Sequence, residues 1–244
     1  MKKYTDNEWF HDLFADCWFG PNHVLTQHVE FVWKALKLRK GMAVLDIPCG
    51  DGQMTIQLAR RGCKMTGVDL QPLFIRRART RFTKEDLPGV FRREDMRSLA
   101  EVDQYDAICN WFNSFGYFSD KENLETLLRF ARALKRGGRL LITQNNRASY
   151  LRRYSQANNS IFEQDGIRKR IIWDDRTKRF RSTFTRVKGG ATQTCRLDHR
   201  FYSRREFEKL FEAAGLKIDN IYGNVDFSPY NQTSRLILMV GVKR

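Results

Sequence analysis

The chain has 244 residues, 41% of them hydrophobic and 30% charged, which is enough to bury one sizeable core, and no apolar run approaches the roughly 20 residues that span a bilayer. A formal charge of +16 points to anionic partners. The five cysteines (Cys17, Cys49, Cys63, Cys109, Cys195) are odd in number and scattered, which argues against a disulfide framework or a zinc site, and the first residues contain no apolar signal core, so a reduced, cytoplasmic protein with no membrane association is expected.

From Asn7 to Leu38, aromatic and aliphatic residues recur at helical spacing, interrupted by Gly20-Pro21-Asn22, which predicts two helices joined by a turn. Met42 to Ile47 is a short apolar run suited to a strand buried on both faces. An alternation follows: helix over 53–61, strand 64–68, helix 72–82, strand 90–93, strand 105–110, helix 121–134 and strand 139–144. Strands alternating with helices predict a parallel sheet with right-handed crossovers, and Gly62 and Gly137-Gly138 fall where helices should stop. After Asn145 the rhythm changes. Alternating polar and bulky residues from Ile161 to Tyr202, with turn signals at Asp174-Asp175-Arg176 and Gly189-Gly190, predict a three-stranded antiparallel meander. A helix over 204–214, capped by Gly215, and an antiparallel strand pair over 217–222 and 235–242 complete the chain.

The strongest motif is Val44-Leu45-Asp46-Ile47-Pro48-Cys49-Gly50-Asp51-Gly52, a buried strand that ends in an acid and runs through a Gly-x-Gly turn into a helix. Glycines let the backbone approach a ligand closely, and the helix start presents unpaired N–H groups, so a nucleotide-type ligand is expected over the turn. Asp69, at the tip of the next strand, is placed to accept both hydrogen bonds of a ribose diol. Asp95-Met96, after the third strand, offers an acceptor and an apolar surface for an adenine. A dinucleotide dehydrogenase uses similar geometry, but Asp46 and Asp51 would repel a pyrophosphate and Thr55 stands where a third glycine is required.

Together these motifs resemble the class I S-adenosylmethionine-dependent methyltransferases, over Met42 to Gln144 and again in the final helix and strand pair. The resemblance implies an α/β, Rossmann-like, seven-stranded, mostly parallel sheet with helices on both faces and an antiparallel C-terminal strand. It also implies S-adenosyl-L-methionine as cofactor, held by Asp46, Pro48, Gly50, Gly52, Asp69, Leu70, Asp95, Met96 and Asn110. Pro48 is a departure, since the family commonly has Gly there. One methyltransferase domain over 1–244 is expected, made of a helical lid (1–40), a cofactor core (41–144), a β-rich insert (145–205) and the C-terminal helix and strands (206–244).

The segment after the fourth strand, Asn110-Trp111-Phe112-Asn113-Ser114-Phe115-Gly116-Tyr117-Phe118, should emerge at the switch point of the sheet and resembles the Asn-Ser-Phe stretch of small-molecule methyltransferases. Asn113, Ser114 and Phe115, with Trp18 and Tyr202, are the predicted acceptor contacts. The insert carries 16 Lys and Arg against 5 Asp and Glu. That excess fits an anionic small-molecule acceptor, RNA phosphates as a second partner class, or a solvated face. His199 and His11 are the candidate bases for a hydroxyl acceptor, with a structural role as the alternative for each. The reading is methyl transfer to a small molecule by in-line displacement, in a monomer or homodimer; RNA methylation and a non-catalytic cofactor-binding module are the other two readings.

Overall fold

The strands of this chain place consecutive apolar residues on opposite faces of a sheet, and both faces are covered. The computed structural model describes residues 26–154, 160–164 and 166–244. The first predicted N-terminal helix, with His11 and Trp18, lies outside the described residues.

In chain order the core comprises α1 (Thr26–Ala35), β1 (Ala43–Asp46), α2 (Gln53–Arg60), β2 (Lys64–Asp69), α3 (Pro72–Lys84), β3 (Gly89–Arg93), β4 (Tyr105–Asn110), α4 (Asp120–Ala133) and β5 (Leu134–Asn145). An insert follows with α5 (Arg147–Tyr154), β6 (Ser160–Gln164), β7 (Ile167–Asp174), β8 (Arg179–Lys188) and β9 (Ala191–Arg200). The chain then returns through α6 (Arg204–Ala213), β10 (Leu216–Tyr222) and β11 (Leu236–Lys243).

Seven strands form one sheet in the order β10-β11-β5-β4-β1-β2-β3. β1 to β5 are mutually parallel, and β11 runs antiparallel to both β5 and β10. Val44, Ala107, Cys109 and Leu141 face α1, α2 and α3 through Phe31, Leu58 and Ala78. Leu45, Ile108, Leu140 and Ile142 face α4 and α6 through Phe130, Phe207 and Phe211. Strand order reverses between β1 and β4, so a crevice opens where their carboxyl ends diverge.

Two expectations are corrected. The insert is a four-stranded antiparallel sheet, β6-β7-β8-β9, preceded by a helix, rather than a three-stranded meander. Gly137-Gly138 do not end α4, which stops at Ala133; they lie inside β5, where the pairing with β4 shifts register between Tyr105 and Ala107. Gly62 does follow the end of α2, in the left-handed conformation at φ 89°.

The insert is fastened to the core by buried polar groups. The Gln144 amide donates to the Phe115 and Arg200 carbonyls, both at 2.9 Å, and its oxygen accepts from the Tyr202 N–H at 2.7 Å. Arg179 reaches from β8 to donate to the carbonyls of Gly116, Tyr117 and Phe118 while pairing with Asp198 at 2.5 Å. Arg200, 6% exposed, pairs with Asp120 and Glu206.

The Arg200 N–H donates to the Gly116 carbonyl at 2.8 Å, and a Cβ on Gly116, whose φ is 108°, would run into the Arg200 carbonyl oxygen. Gly116→Ala is therefore expected to cost roughly 2–5 kcal/mol in urea unfolding, from backbone strain and overpacking together. Gly189→Ala, with open space around its Cβ at φ 57°, should cost about 1–2 kcal/mol. Equal costs for the two variants would contradict this account of the junction.

Candidate active site

A cavity of about 570 Å³ lies between the carboxyl ends of β1, β2 and β4 on one side and the inner face of the insert sheet on the other. Its floor is the turn after β1. The Asp69 carboxylate accepts from the Gly50 N–H at 2.9 Å and from the Gln71 N–H at 2.8 Å, one bond to each oxygen, which fastens the end of β2 to the turn. Asp46 accepts from the Thr55 hydroxyl at 2.5 Å. Asp46 and Asp69 are 2% and 6% exposed. Burial pushes the Asp46 carboxyl up to about 7, opposed by the Thr55 bond and helped by the Asp69 charge. Burial likewise raises Asp69 to about 6, against the two backbone bonds that favour its ionised form.

Cys49 lines the cavity, but burial and the neighbouring Asp69 and Asp46 charges hold its thiol protonated, which suits packing and not nucleophilic attack. Gly50 also lines the cavity, in the left-handed conformation at φ 56°. Gly52 does not line it. A Cβ there, at φ 81°, would meet Ala78 Cβ at 2.9 Å, so the approach of α3 by itself keeps the residue small.

The remaining predicted residues separate in the same way. Pro48, Leu70, Asp95, Met96, Asn113, Ser114 and His199 line the cavity together with Asp46, Gly50 and Asp69. The Asp95 carboxylate is already engaged by Arg97, accepting from its backbone N–H at 2.9 Å and from its guanidinium at 2.7 Å. Asn110 is fully buried beneath the turn, where its amide donates to the Ile47 carbonyl at 2.7 Å. Phe115 packs on Tyr202 and Phe207 in the core. The Tyr202 hydroxyl accepts from Asn123 and donates to Asp120, both at 2.9 Å. Neither Phe115 nor Tyr202 reaches the cavity, although their neighbours Ser114 and Phe201 do.

His199 is held at both ring nitrogens. Nε2 donates to the Phe115 carbonyl at 2.7 Å, which leaves Nδ1 to accept from the Asn113 amide at 3.3 Å. The Asn113 oxygen accepts from the Asn145 N–H at 2.8 Å, which sets the amide orientation. Burial depresses the imidazole to about 4, so it is neutral, and Tyr117 stacks on it at 4.6 Å. In this geometry the histidine fixes Asn113, at φ 62°, and Tyr117 in place.

Several lining residues stand outside the predicted cofactor and acceptor contacts: His28 of α1, Trp111 and Tyr117 of the segment after β4, Gln144 at the end of β5, and Lys169 and Phe184 of the insert. The β8 residues Phe180, Ser182 and Phe184 carried a signal, since period-2 alternation puts them on one face. No insert arginine lines the cavity. Among those described, Arg179 and Arg200 are spent on the junction, and Arg168 and Arg170 are exposed. The insert's excess of arginine is thus placed at the junction with the core and on the outer surface.

Residues 44–138 match the family model described as a methyltransferase domain. The core has the Rossmann-like fold of S-adenosylmethionine-dependent methyltransferases. YqeM of Bacillus subtilis (strain 168), a protein named as a methyltransferase, is 32% identical over 111 residues, covering 45% of this chain and 44% of that protein. The chain thus spans less than half the length of this relative. Cypemycin N-terminal methyltransferase from Streptomyces is 25% identical over 204 residues, 82% of each chain. The fold is that of the sugar N-methyltransferase KedS8 from Streptoalloteichus sp ATCC 53650, with a TM-score of 0.70, 20% identity and coverage of 96% of this chain and 92% of that one. In this chain the acids of the floor and the aromatic residues of the roof line one cavity at the switch-point crevice.

A raised carboxyl pKa makes the folded protein bind protons more tightly than the unfolded chain, so its contribution is fully present at low pH and is lost as pH rises through the folded value. For Asp46, raised to about 7, that loss runs from about pH 4 to pH 8. Asp46→Asn should therefore gain thermal stability relative to wild type as pH rises from 5 to 8. A stability difference that stays constant over that range would contradict the buried, proton-binding Asp46.

Proposed function

We propose that this protein transfers the methyl group of S-adenosylmethionine to a small-molecule acceptor enclosed between the core and the insert sheet. The observation that carries the reading is the single cavity shared by Asp46, Gly50 and Asp69 on one side and by Asn113, Tyr117, Phe180 and Phe184 on the other.

The floor fits the cofactor. Each Asp69 oxygen has a lone pair left after its backbone bond, as a vicinal diol requires. Asp46 and Asp69 supply the negative field that suits an ammonium or sulfonium and that would repel a pyrophosphate. Leu70 and Met96 line the adjoining wall with apolar surface for a base, and the Asp95–Arg97 pair closes that end. When bound, S-adenosylmethionine supplies an electrophilic methyl on a good leaving group, so the chain has to contribute orientation and exclusion of water.

The residues over the crevice do both. Trp111, Phe112, Tyr117 and Phe118 form an aromatic collar after β4, and Tyr150, Phe180, Phe184 and Phe201 roof it from the insert. Asn113, tied to Asn145 and His199, presents a fixed amide edge to the acceptor. A neutral His199 whose Nδ1 already accepts from Asn113 is a positioning group, so an amine acceptor entering in its neutral form fits this roof better than a hydroxyl that needs a base. Among the described residues no helix is long and apolar enough to cross a membrane.

The test is methyl transfer from labelled S-adenosylmethionine to a panel of small amines, phenols and carboxylates, with total RNA in parallel. Transfer to a small molecule is expected. Asp69→Ala should weaken S-adenosylmethionine in calorimetric titration by roughly tenfold or more, the worth of two hydrogen bonds to a charged group. Transfer to RNA alone, or unchanged cofactor affinity in Asp69→Ala, would contradict the proposal.

A further inference from the structure

The acceptor half of the cavity holds hydroxyls that the protein leaves unmatched. On β8, Phe180, Ser182 and Phe184 line the cavity from one face of the strand. Ser182 is 7% exposed, and the residues paired with it, Ile171 on β7 and Leu197 on β9, are buried and apolar. Among the described residues nothing hydrogen-bonds to its hydroxyl. Tyr150 of α5 also lines the cavity, its ring edge-on to Phe180 at 4.5 Å and to Phe201 at 5.1 Å. Burial raises its phenol, so the hydroxyl stays protonated, and it too has no hydrogen-bond partner among the described residues. On the core side, Thr143 of β5 is 4% exposed, and its hydroxyl accepts a long bond from the Asn113 N–H at 3.5 Å and donates to no group among the described residues. The Asn113 amide gives one N–H to His199 and keeps a second.

Strand alternation does not call for a hydroxyl at position 182, since its neighbours on the same inner face are Phe180, Phe184, Ile171 and Leu197. In an open site water solvates each of these groups. A ligand that closes the space between floor and roof removes that water, and a buried donor left without a new partner then weakens the complex. A bare hydrocarbon would leave Ser182, Tyr150 and Thr143 unmatched together. A ligand hydroxyl donates one bond and accepts others, the same capacity as the groups that face it. The rings of Phe180 and Phe184, on either side of Ser182, favour a compact ring as the body that carries it.

We infer that the acceptor is a ring-bodied amine bearing at least one hydroxyl, which Ser182 and Tyr150 bind from the insert while Thr143 and Asn113 hold the core side of the same molecule. The inference rests on the methyl-transfer reading for the word acceptor, and on the cavity wall for the rest. Ser182 and Tyr150 are then specificity-determining residues: they discriminate against an analogue that lacks the hydroxyl, because such an analogue displaces water from both without replacing its bonds.

Aniline and the three aminophenol isomers, all uncharged amines at neutral pH, serve as probes in calorimetric titrations of the full chain, alone and with saturating S-adenosylhomocysteine. At least one aminophenol is expected to bind roughly five- to tenfold more tightly than aniline, the worth of one net hydrogen bond. Ser182→Ala should lower that preference and leave aniline bound as tightly as before or more tightly, since it removes a group that aniline cannot match. Tyr150→Phe, which keeps the ring packing, should lower the preference as well. Each variant removes a single oxygen, and its S-adenosylhomocysteine affinity reports whether the cofactor floor is intact. No preference for any aminophenol in the wild type, a preference kept in full by either variant, or an equal loss of aniline and aminophenol binding in Ser182→Ala would overturn the inference. Failure of S-adenosylhomocysteine to bind would instead count against the cofactor reading, while the titrations of the protein alone still decide the role of the two hydroxyls.

Discussion

The Asp69 carboxylate, accepting one backbone N–H from the turn after β1 and one from the start of α3, is the contact on which the rest of the site depends. It fixes Gly50 against the end of β2 and so sets where the floor of the crevice lies. Holding an acid there has a cost in solvation, visible in the raised affinities of Asp69 and Asp46 for a proton. The cost recurs because the two acids stand at the ends of adjacent parallel strands, within each other's field. A ligand bearing positive charge and a diol relieves both, and electrostatics thereby ties the fold to one class of cofactor.

The second constraint is the junction of insert and core. Arg179 and Arg200, which in the sequence read as part of a basic run, are consumed inside the molecule. The first holds three successive carbonyls of the Gly116–Phe118 loop, and the second ties Asp120 and Glu206 to the end of β9. Gln144 adds a fully satisfied amide at the same place. The aromatic collar after β4 and the aromatic roof on β8 are thus parts of one rigid arrangement, because the same guanidinium that anchors β8 also anchors the loop carrying Tyr117 and Phe118.

Much of the core was legible in the sequence, because its signals are local. The apolar run ending at Asp46, the left-handed glycines Gly50 and Gly62, and the 3.6-residue spacing of α2, α3, α4 and α6 each depend on a few neighbouring residues. The floor of the cavity was legible for the same reason, since Asp46, Gly50, Asp69 and Asp95 follow strand ends whose positions the pattern predicts. The roof was not. Whether Arg179 faces a cavity or a loop carbonyl depends on how a four-stranded sheet docks 60 residues away in sequence, and spacing holds no information on that. Phe115 and Tyr202 illustrate the same limit: each adjoins a lining residue in an irregular segment, and a single step along the chain decides between core and cavity. Gly52 reads in the sequence as a position of close approach to a ligand, whereas the neighbour that a Cβ there would meet is Ala78 on α3.

The central claim is that one cavity receives the cofactor on the Asp46–Asp69 floor with its reactive end toward Asn113 and Tyr117. A crystal structure of the complex with S-adenosylhomocysteine measures this directly. The account predicts ribose hydroxyls within hydrogen-bond distance of both Asp69 oxygens, the adenine against Leu70 and Met96, and the sulfur turned toward the collar after β4. Density for the ligand elsewhere, or in this cavity with the ribose away from Asp69, would contradict it.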